Sequence, residues 1–161
     1  FDYHRQHGLD IRVARIFNTF RPRMKLNDGR VITNFISQAL QNQPITIYGD
    51  GNQTRCFAHV LDVIDAVIAI AFAGNTIGKV INVGNDFEIS INGLARKITD
   101  ETGSKSEMIY VPYDEAYGDG FEDMERRVPN IDLINQLVGW KPKRDLSTMI
   151  ADISVEMKKS S

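Results

Sequence analysis

The chain has 161 residues, 42% of them hydrophobic and 25% charged, a composition that supports a globular core within one domain. Its formal net charge of -2 gives no general pull toward nucleic acid or an anionic membrane. A single cysteine, Cys56, excludes an intrachain disulfide and fits a reducing, cytoplasmic compartment, where it reads as a small buried apolar residue. The longest apolar run, Ala66 to Gly74, is far too short to span a bilayer.

In chain order, Phe1 to His7 reads as the end of a helix, with Gly8 as its C-cap. Ile11 to Phe17 is β-branched and apolar and predicts a buried strand. Asn27 or Asp28 then caps a helix from about Gly29 to Gln41, with Val31, Ile32, Phe35, Ile36, Ala39 and Leu40 on its apolar face. Ile45 to Tyr48 is a short strand ended by the turn Gly49-Asp-Gly51, and Arg55 to His59 a second extended piece. Asp62 is placed to cap a helix from Val63 to Ala73, with a stripe of Val63, Ile64, Val67, Ile68 and Phe72. Lys79 to Val83 and Glu88 to Ser90 are extended, and Ser90 caps a helix from Ile91 to about Thr102. Glu107 to Val111 is a strand. Residues 112–129 are acidic and aromatic without a period and read as one long loop, a length that is usually functional. Asn130 to Val138 and Leu146 to Lys158 are the last helices.

Alternating strands and helices define an α/β fold. The segment from Arg15 to Arg30 carries Asn18 and the arginines Arg21, Arg23 and Arg30 between a strand and a helix. The loop after the carboxyl end of a strand is where open α/β sheets take ligands, and clustered guanidinium forks suit an anion such as a diphosphate. A solvated surface loop is the other explanation. The twelve glycines form no G-x-G-x-x-G, and no P-loop is present. His4, His7 and His59 lack the spacing of a metal site, so none is expected.

Arg15-Ile-Phe-Asn-Thr-Phe20, then Pro22-Arg-Met24 and Asn27-Asp-Gly-Arg-Val-Ile-Thr-Asn-Phe-Ile36, resemble the extended short-chain dehydrogenase/reductase enzymes of nucleotide sugars. So do Pro44-Ile-Thr-Ile-Tyr-Gly-Asp-Gly-Asn-Gln-Thr-Arg-Cys-Phe-Ala-His-Val-Leu-Asp-Val63, Ile81-Asn-Val-Gly-Asn85, Arg127-Val-Pro-Asn130 and Leu137-Val-Gly-Trp-Lys-Pro142. Within that family the likeness is greatest to UDP-glucuronic acid decarboxylases and related epimerases and dehydratases. It implies an NAD-binding Rossmann-type fold of which residues 1–161 are the C-terminal half: the last Rossmann strands plus a substrate-binding lobe. The family's Gly-rich turn and Tyr-x-x-x-Lys pair would lie upstream, and no tyrosine here has lysine four residues later.

The resemblance implies NAD-dependent decarboxylation of UDP-glucuronate to UDP-xylose through a 4-keto intermediate. The alternatives are UDP-sugar 4-epimerisation, dTDP-sugar 4,6-dehydration, or a non-catalytic nucleotide-sugar-binding fragment. It assigns Asn18 to the diphosphate or sugar and Arg30 and Val31, at a helix start, to the nucleotide. Thr46, Ile47 and Tyr48 form the uracil slot, Gln53 sits near the ribose, and Arg55 binds the phosphates. Arg127 binds the phosphates and assists proton donation. Ile16 and Phe17 line the nicotinamide pocket. The longer protein is expected to be a homodimer.

Simpler roles remain open: strand core for Ile16, Phe17, Ile47 and Tyr48, a surface ion pair for Arg55, solvation for Arg126, and a solvated lid edge for Asp114, Glu115, Asp119, Glu122, Asp123 and Glu125. Trp140 reads as a buried anchor. Arg21 stands where the family usually has glycine, and its side chain and loss of φ > 0 are expected to lower activity.

Overall fold

A computed structural model describes residues 1–21, 29–118 and 123–160 of the chain. The elements follow in the order α1 (Asp2–His7), β1 (Val13–Ile16), β2 (Thr19–Phe20), α2 (Val31–Leu40), β3 (Ile45–Tyr48), β4 (Thr54–Cys56), β5 (Ala58–His59) and α3 (Val60–Phe72). Then come β6 (Val80–Val83), β7 (Glu88–Ser90), α4 (Ile91–Thr102), β8 (Met108–Val111), α5 (Tyr113–Tyr117), β9 (Arg126–Arg127), α6 (Asp132–Val138) and α7 (Leu146–Ser160). Strands β1 and β6, β2 and β5, β3 and β8, and β4 and β9 pair in parallel, so the α/β expectation holds. The chain forms two compact units, each built from three stretches: Phe1–Phe20, Cys56–Phe87 and Val128–Asp145 in the first, and Arg21–Arg55, Glu88–Arg127 and Leu146–Ser161 in the second.

The first unit packs α3 and α6 onto the β1–β6 pair. Its core is Ala58, Val63, Ala66, Ile70, Ile81, Val83, Ile131, Ile134 and Trp140. Trp140 is the anchor its bulk suggests, donating from Nε1 to the Asp62 carbonyl at 3.0 Å. Two expectations need correction. Strand β1 is not buried: Ala14 faces the core, whereas Val13 and Ile16 are exposed. A parallel strand is buried on both faces only where helices cover both. Helix α3 is apolar nearly all round, so its period does not identify its inner face. The buried stripe is Asp62, Val63, Ala66 and Ile70; Ile64, Val67, Ile68 and Phe72 are exposed.

Asp62 does not cap α3 either. The cap is His59, whose Nδ1 accepts from the Leu61 amide at 3.1 Å. The Asp62 side chain, 1% exposed, is spent on the chain after Trp140. It accepts from the amides of Lys143 (3.1 Å) and Arg144 (2.9 Å) and pairs with Arg144 Nη1 at 2.5 Å.

The second unit packs α2 against α4 and α7, with β3 beneath. Ile32, Phe35, Ile36 and Ala39 of α2 meet Leu94, Ala95 and Ile98 of α4 and Met149, Ile150 and Ile153 of α7 as the buried faces. The face of α2 follows the sequence pattern, but its N-cap is Arg30, in extended backbone; Asn27 and Asp28 lie outside the described residues. Ser90 caps α4 as its position suggests, accepting from the Gly93 amide at 3.0 Å. The stretch read as one long loop contains α5 and β9 among its described residues, because Arg126–Arg127 finds a parallel partner in β4.

Candidate functional site

Strand β3 builds the floor. Ile45 and Ile47 are fully buried, so the Ile47 side chain belongs to the core, while Tyr48 at the strand end is exposed. Thr46 is held by Gln38 of α2, whose Nε2 donates to Thr46 Oγ1 and whose Oε1 accepts the Thr46 amide, both at 3.2 Å. Arg30 and Val31 stand at the start of α2, Arg30 exposed and Val31 half-buried. The Arg30 carbonyl accepts from Thr33 Oγ1 at 2.9 Å.

After Tyr48 the chain reverses through Gly49-Asp50-Gly51. Both glycines have φ of 72°, the left-handed region. A β-carbon at Gly51 would stand 2.3 Å from Asn92 Oδ1, so that glycine also admits the close approach of α4. Asn92 Nδ2 donates to the Asp50 carbonyl at 3.0 Å. The amide of Asn52 donates to Asp50 Oδ1 at 2.9 Å, and this bond, helped by the Asn52 side chain, holds the Asp50 carboxyl below the usual aspartate range. The turn delivers Gln53 next to Tyr48: Gln53 Nε2 donates to the Tyr48 carbonyl at 3.0 Å and to Tyr113 Oη at 2.7 Å.

Strand β4 then carries the cations. In the β4–β9 register Thr54 faces Arg126 and Arg55 faces Arg127. Arg55, with its side chain 12% exposed, pairs with Asp123 through Nη2 at 2.6 Å, and its Nη1 donates to the carbonyls of Thr54 (2.8 Å) and Met124 (2.7 Å). Arg127 is exposed. Two readings change here. Asp123 is exposed, as a solvated edge residue would be, and it is also the counter-ion of Arg55. Arg126 is not merely solvated: its Nε and Nη2 both donate to Glu88 Oε2, at 3.2 and 2.9 Å, and Nε also reaches Oε1 at 2.9 Å. That fork, with the Thr54 hydroxyl, holds the Glu88 carboxyl below its ordinary value of 4.5.

Asn18, Ile16 and Phe17 belong to the first unit. The Asn18 carbonyl accepts from the Ala58 amide at 2.9 Å, which ties the end of β1 to β5. Ile16 is exposed at the strand end and Phe17 is half-buried; the Phe17 amide donates to the Val83 carbonyl at 2.9 Å. Arg21 is exposed, and Arg23, Asp119 and Glu122 lie outside the described residues. Thus Thr46, Ile47 and Tyr48 stand on β3, Gln53 in the turn that follows, and Arg55 and Arg127 on the paired strands β4 and β9, all in one unit that also holds Arg30 and Val31 at the head of α2. The sequence missed Tyr113 and Asp123, whose partners are remote along the chain. Among the described residues no three or more His, Cys, Asp and Glu side chains gather as a metal site, and no helix is long and apolar enough to cross a membrane.

The unit is parallel α/β, with two arginines in register beside a glycine-bounded turn. The chain belongs to the GDP-mannose 4,6 dehydratase family, whose model matches residues 1–153. It is 42% identical over 142 residues to UDP-glucuronic acid decarboxylase 1 of Xenopus tropicalis, covering 88% of this chain and 32% of that protein. It is 41% identical over 143 residues to UDP-glucuronic acid decarboxylase 3 of Arabidopsis thaliana, covering 89% of this chain and 40% of that one. The chain therefore spans well under half the length of these curated relatives. Among solved structures it is similar to a UDP-N-acetylglucosamine 4-epimerase of Methanobrevibacter ruminantium in complex with UDP-N-acetylmuramic acid, with a TM-score of 0.87 at 28% identity, covering 99% of this chain and 50% of that one.

Proposed function

We propose that residues 1–161 form the substrate-binding half of an NAD-dependent enzyme that decarboxylates UDP-glucuronate to UDP-xylose. The observation that carries this reading is the in-register pair Arg55 and Arg127 on adjacent parallel strands. The pairing brings two guanidinium-bearing residues to partner positions, with Arg55 already oriented by Asp123. A diphosphate is the anion whose oxygens match two guanidinium forks. Tyr48 and Gln53 at the preceding turn supply an exposed ring and an amide for the nucleoside, and Arg30 at the head of α2 adds a third cation. The two decarboxylase relatives favour UDP-glucuronate as substrate.

NAD would supply the hydride acceptor at sugar C4, the step that decarboxylation, epimerisation and dehydration share. Ile16 and Phe17, at the end of β1, offer apolar surface for its nicotinamide ring. In this reading Arg127 neutralises the phosphates and holds a proton donor near the decarboxylated carbon. The solved epimerase relative keeps 4-epimerisation as the second reading. Cys56, the one cysteine of the sequence and buried, favours a reducing, cytoplasmic setting, and the family resemblance favours a homodimer of the longer protein.

Titration calorimetry with UDP tests the binding half directly. The chain binds UDP, and Arg55→Ala weakens it roughly 10- to 100-fold, the worth of a charge-assisted hydrogen bond. A folded chain that gives no heat with UDP overturns the reading. With the longer protein, carbon dioxide release from UDP-glucuronate separates decarboxylation from epimerisation.

A further inference from the structure

Tyr113 opens α5 directly after β8, and its ring lies against Gly49 at the end of β3. A β-carbon at Gly49 would stand 2.5 Å from Tyr113 Cε2, so the ring reaches this seat only because the residue is glycine. Seated there, the phenol joins Gln53 to Asp123. The Tyr48 carbonyl can only accept, so Gln53 must present its amide nitrogen, which donates to Tyr48 at 3.0 Å and to Tyr113 Oη at 2.7 Å. With its lone pair taken, the phenol donates onward to Asp123 Oδ2 at 3.3 Å. Asp123 turns its other oxygen to Arg55 Nη2 at 2.6 Å and receives the Met124 amide on it at 2.9 Å. Carbonyls of Thr54 and Met124 take Arg55 Nη1.

The hydrogen-bond chain thus runs from Tyr48 through Gln53, Tyr113 and Asp123 to Arg55, with every donor direction fixed by chemistry. We propose that Tyr113 is a positioning residue for nucleoside diphosphate binding: its single hydroxyl sets the Gln53 amide for the nucleoside and, through Asp123, fixes the plane of the Arg55 guanidinium for the diphosphate. The proposal rests on the nucleotide reading of the site. A guanidinium held by Asp123 and two carbonyls loses little freedom when an anion docks on its remaining edge, so less of the binding energy is lost to ordering. The hydroxyl does not touch the nucleotide in this arrangement; it acts through its two neighbours.

The test is Tyr113→Phe in the full 161-residue chain, which keeps the ring against Gly49 and removes only the hydroxyl. Two measurements are made: calorimetry with UDP, and nitrogen-15 spectra of the Arg55 guanidinium without ligand. In the parent the Arg55 Nη signals are separate because rotation is arrested. In Tyr113→Phe they average, and the UDP Kd rises about five- to tenfold, the worth of one hydrogen bond. Asp123→Asn, which leaves the ring seat untouched, averages the same signals and provides the check if Tyr113→Phe folds poorly. A parent that binds UDP, with Kd and Arg55 spectrum unchanged in Tyr113→Phe, overturns the inference and leaves the nucleotide reading intact. A parent that gives no UDP heat, but whose Arg55 signals average in Tyr113→Phe, overturns the nucleotide reading and retains the hydrogen-bond network.

Discussion

Replacing Asp62 by alanine strikes the point where the segment after Trp140 is fastened to α3. The carboxylate is 1% exposed and accepts three hydrogen bonds, two from the amides of Lys143 and Arg144 and one from the Arg144 guanidinium. Breaking a buried ion pair by removing one partner costs about 3–5 kcal/mol. The lower end applies, because the Arg144 side chain is 32% exposed and recovers water once released. About 3 kcal/mol in a chain of this size lowers Tm by roughly 6–12 °C. Arg144→Ala removes only one of the three bonds and costs about 1 kcal/mol, since the pair lies half in water and the carboxylate keeps its amide donors. Thermal and urea melts of both single variants and the double variant give the cycle. A loss below about 1 kcal/mol for Asp62→Ala, or an Arg144→Ala loss equal to it, refutes the argument that the amides carry most of the clamp.

Glu88 is held below its ordinary value of 4.5 by Arg126 and Thr54, so its contribution to stability is present above that value and is lost as pH falls through the lower folded value. Melts of the parent and Glu88→Gln from pH 7 to pH 3 should differ at the upper end and converge at the lower; a constant difference counts against the pairing. Gly49→Ala forces φ of 72° on a residue with a β-carbon and drives Tyr113 from its seat, so it costs about 1–3 kcal/mol and weakens UDP binding as well. The outward stripe of α3, Leu61, Ile64, Val67, Ile68 and Phe72, predicts concentration-dependent self-association of the isolated chain. Sedimentation should show it, with Ile64→Lys and Ile68→Lys together abolishing it; a parent that is monodisperse at all concentrations contradicts the prediction.

The local rules of sequence worked where one short signal decides the outcome. Ser90 before an apolar period gave the start of α4, the β-branched run Ile45 to Tyr48 gave β3, and Gly139 ended α6 in the left-handed region. They failed where the deciding partner is distant. Asp62 has the spacing of a helix cap, but Lys143 and Arg144 claim its carboxylate. Asp123 looks like one acid among many until Arg55 is placed beside it. Helix α3, apolar at every position but Asp62 and Asp65, has little period to betray its inner face, and one of those two aspartates is itself buried. The cationic strand pair was legible as residue types through Arg55 and Arg127, whereas their register needed β9, which two residues cannot announce.

The order in which the two units draw on the chain also governs how they are made. Each unit takes three separated stretches, and the chain leaves the second unit immediately after Arg55 and again immediately after Arg127. Neither unit is a continuous segment, so neither can be excised by cutting the chain at two points. During synthesis the first unit lacks Trp140 and the residues that grip Asp62 until its last stretch has emerged, and the second lacks α7 until its own third stretch follows. Each core therefore closes late, by contacts between residues far apart in sequence, which is the slow and interruption-prone way to fold.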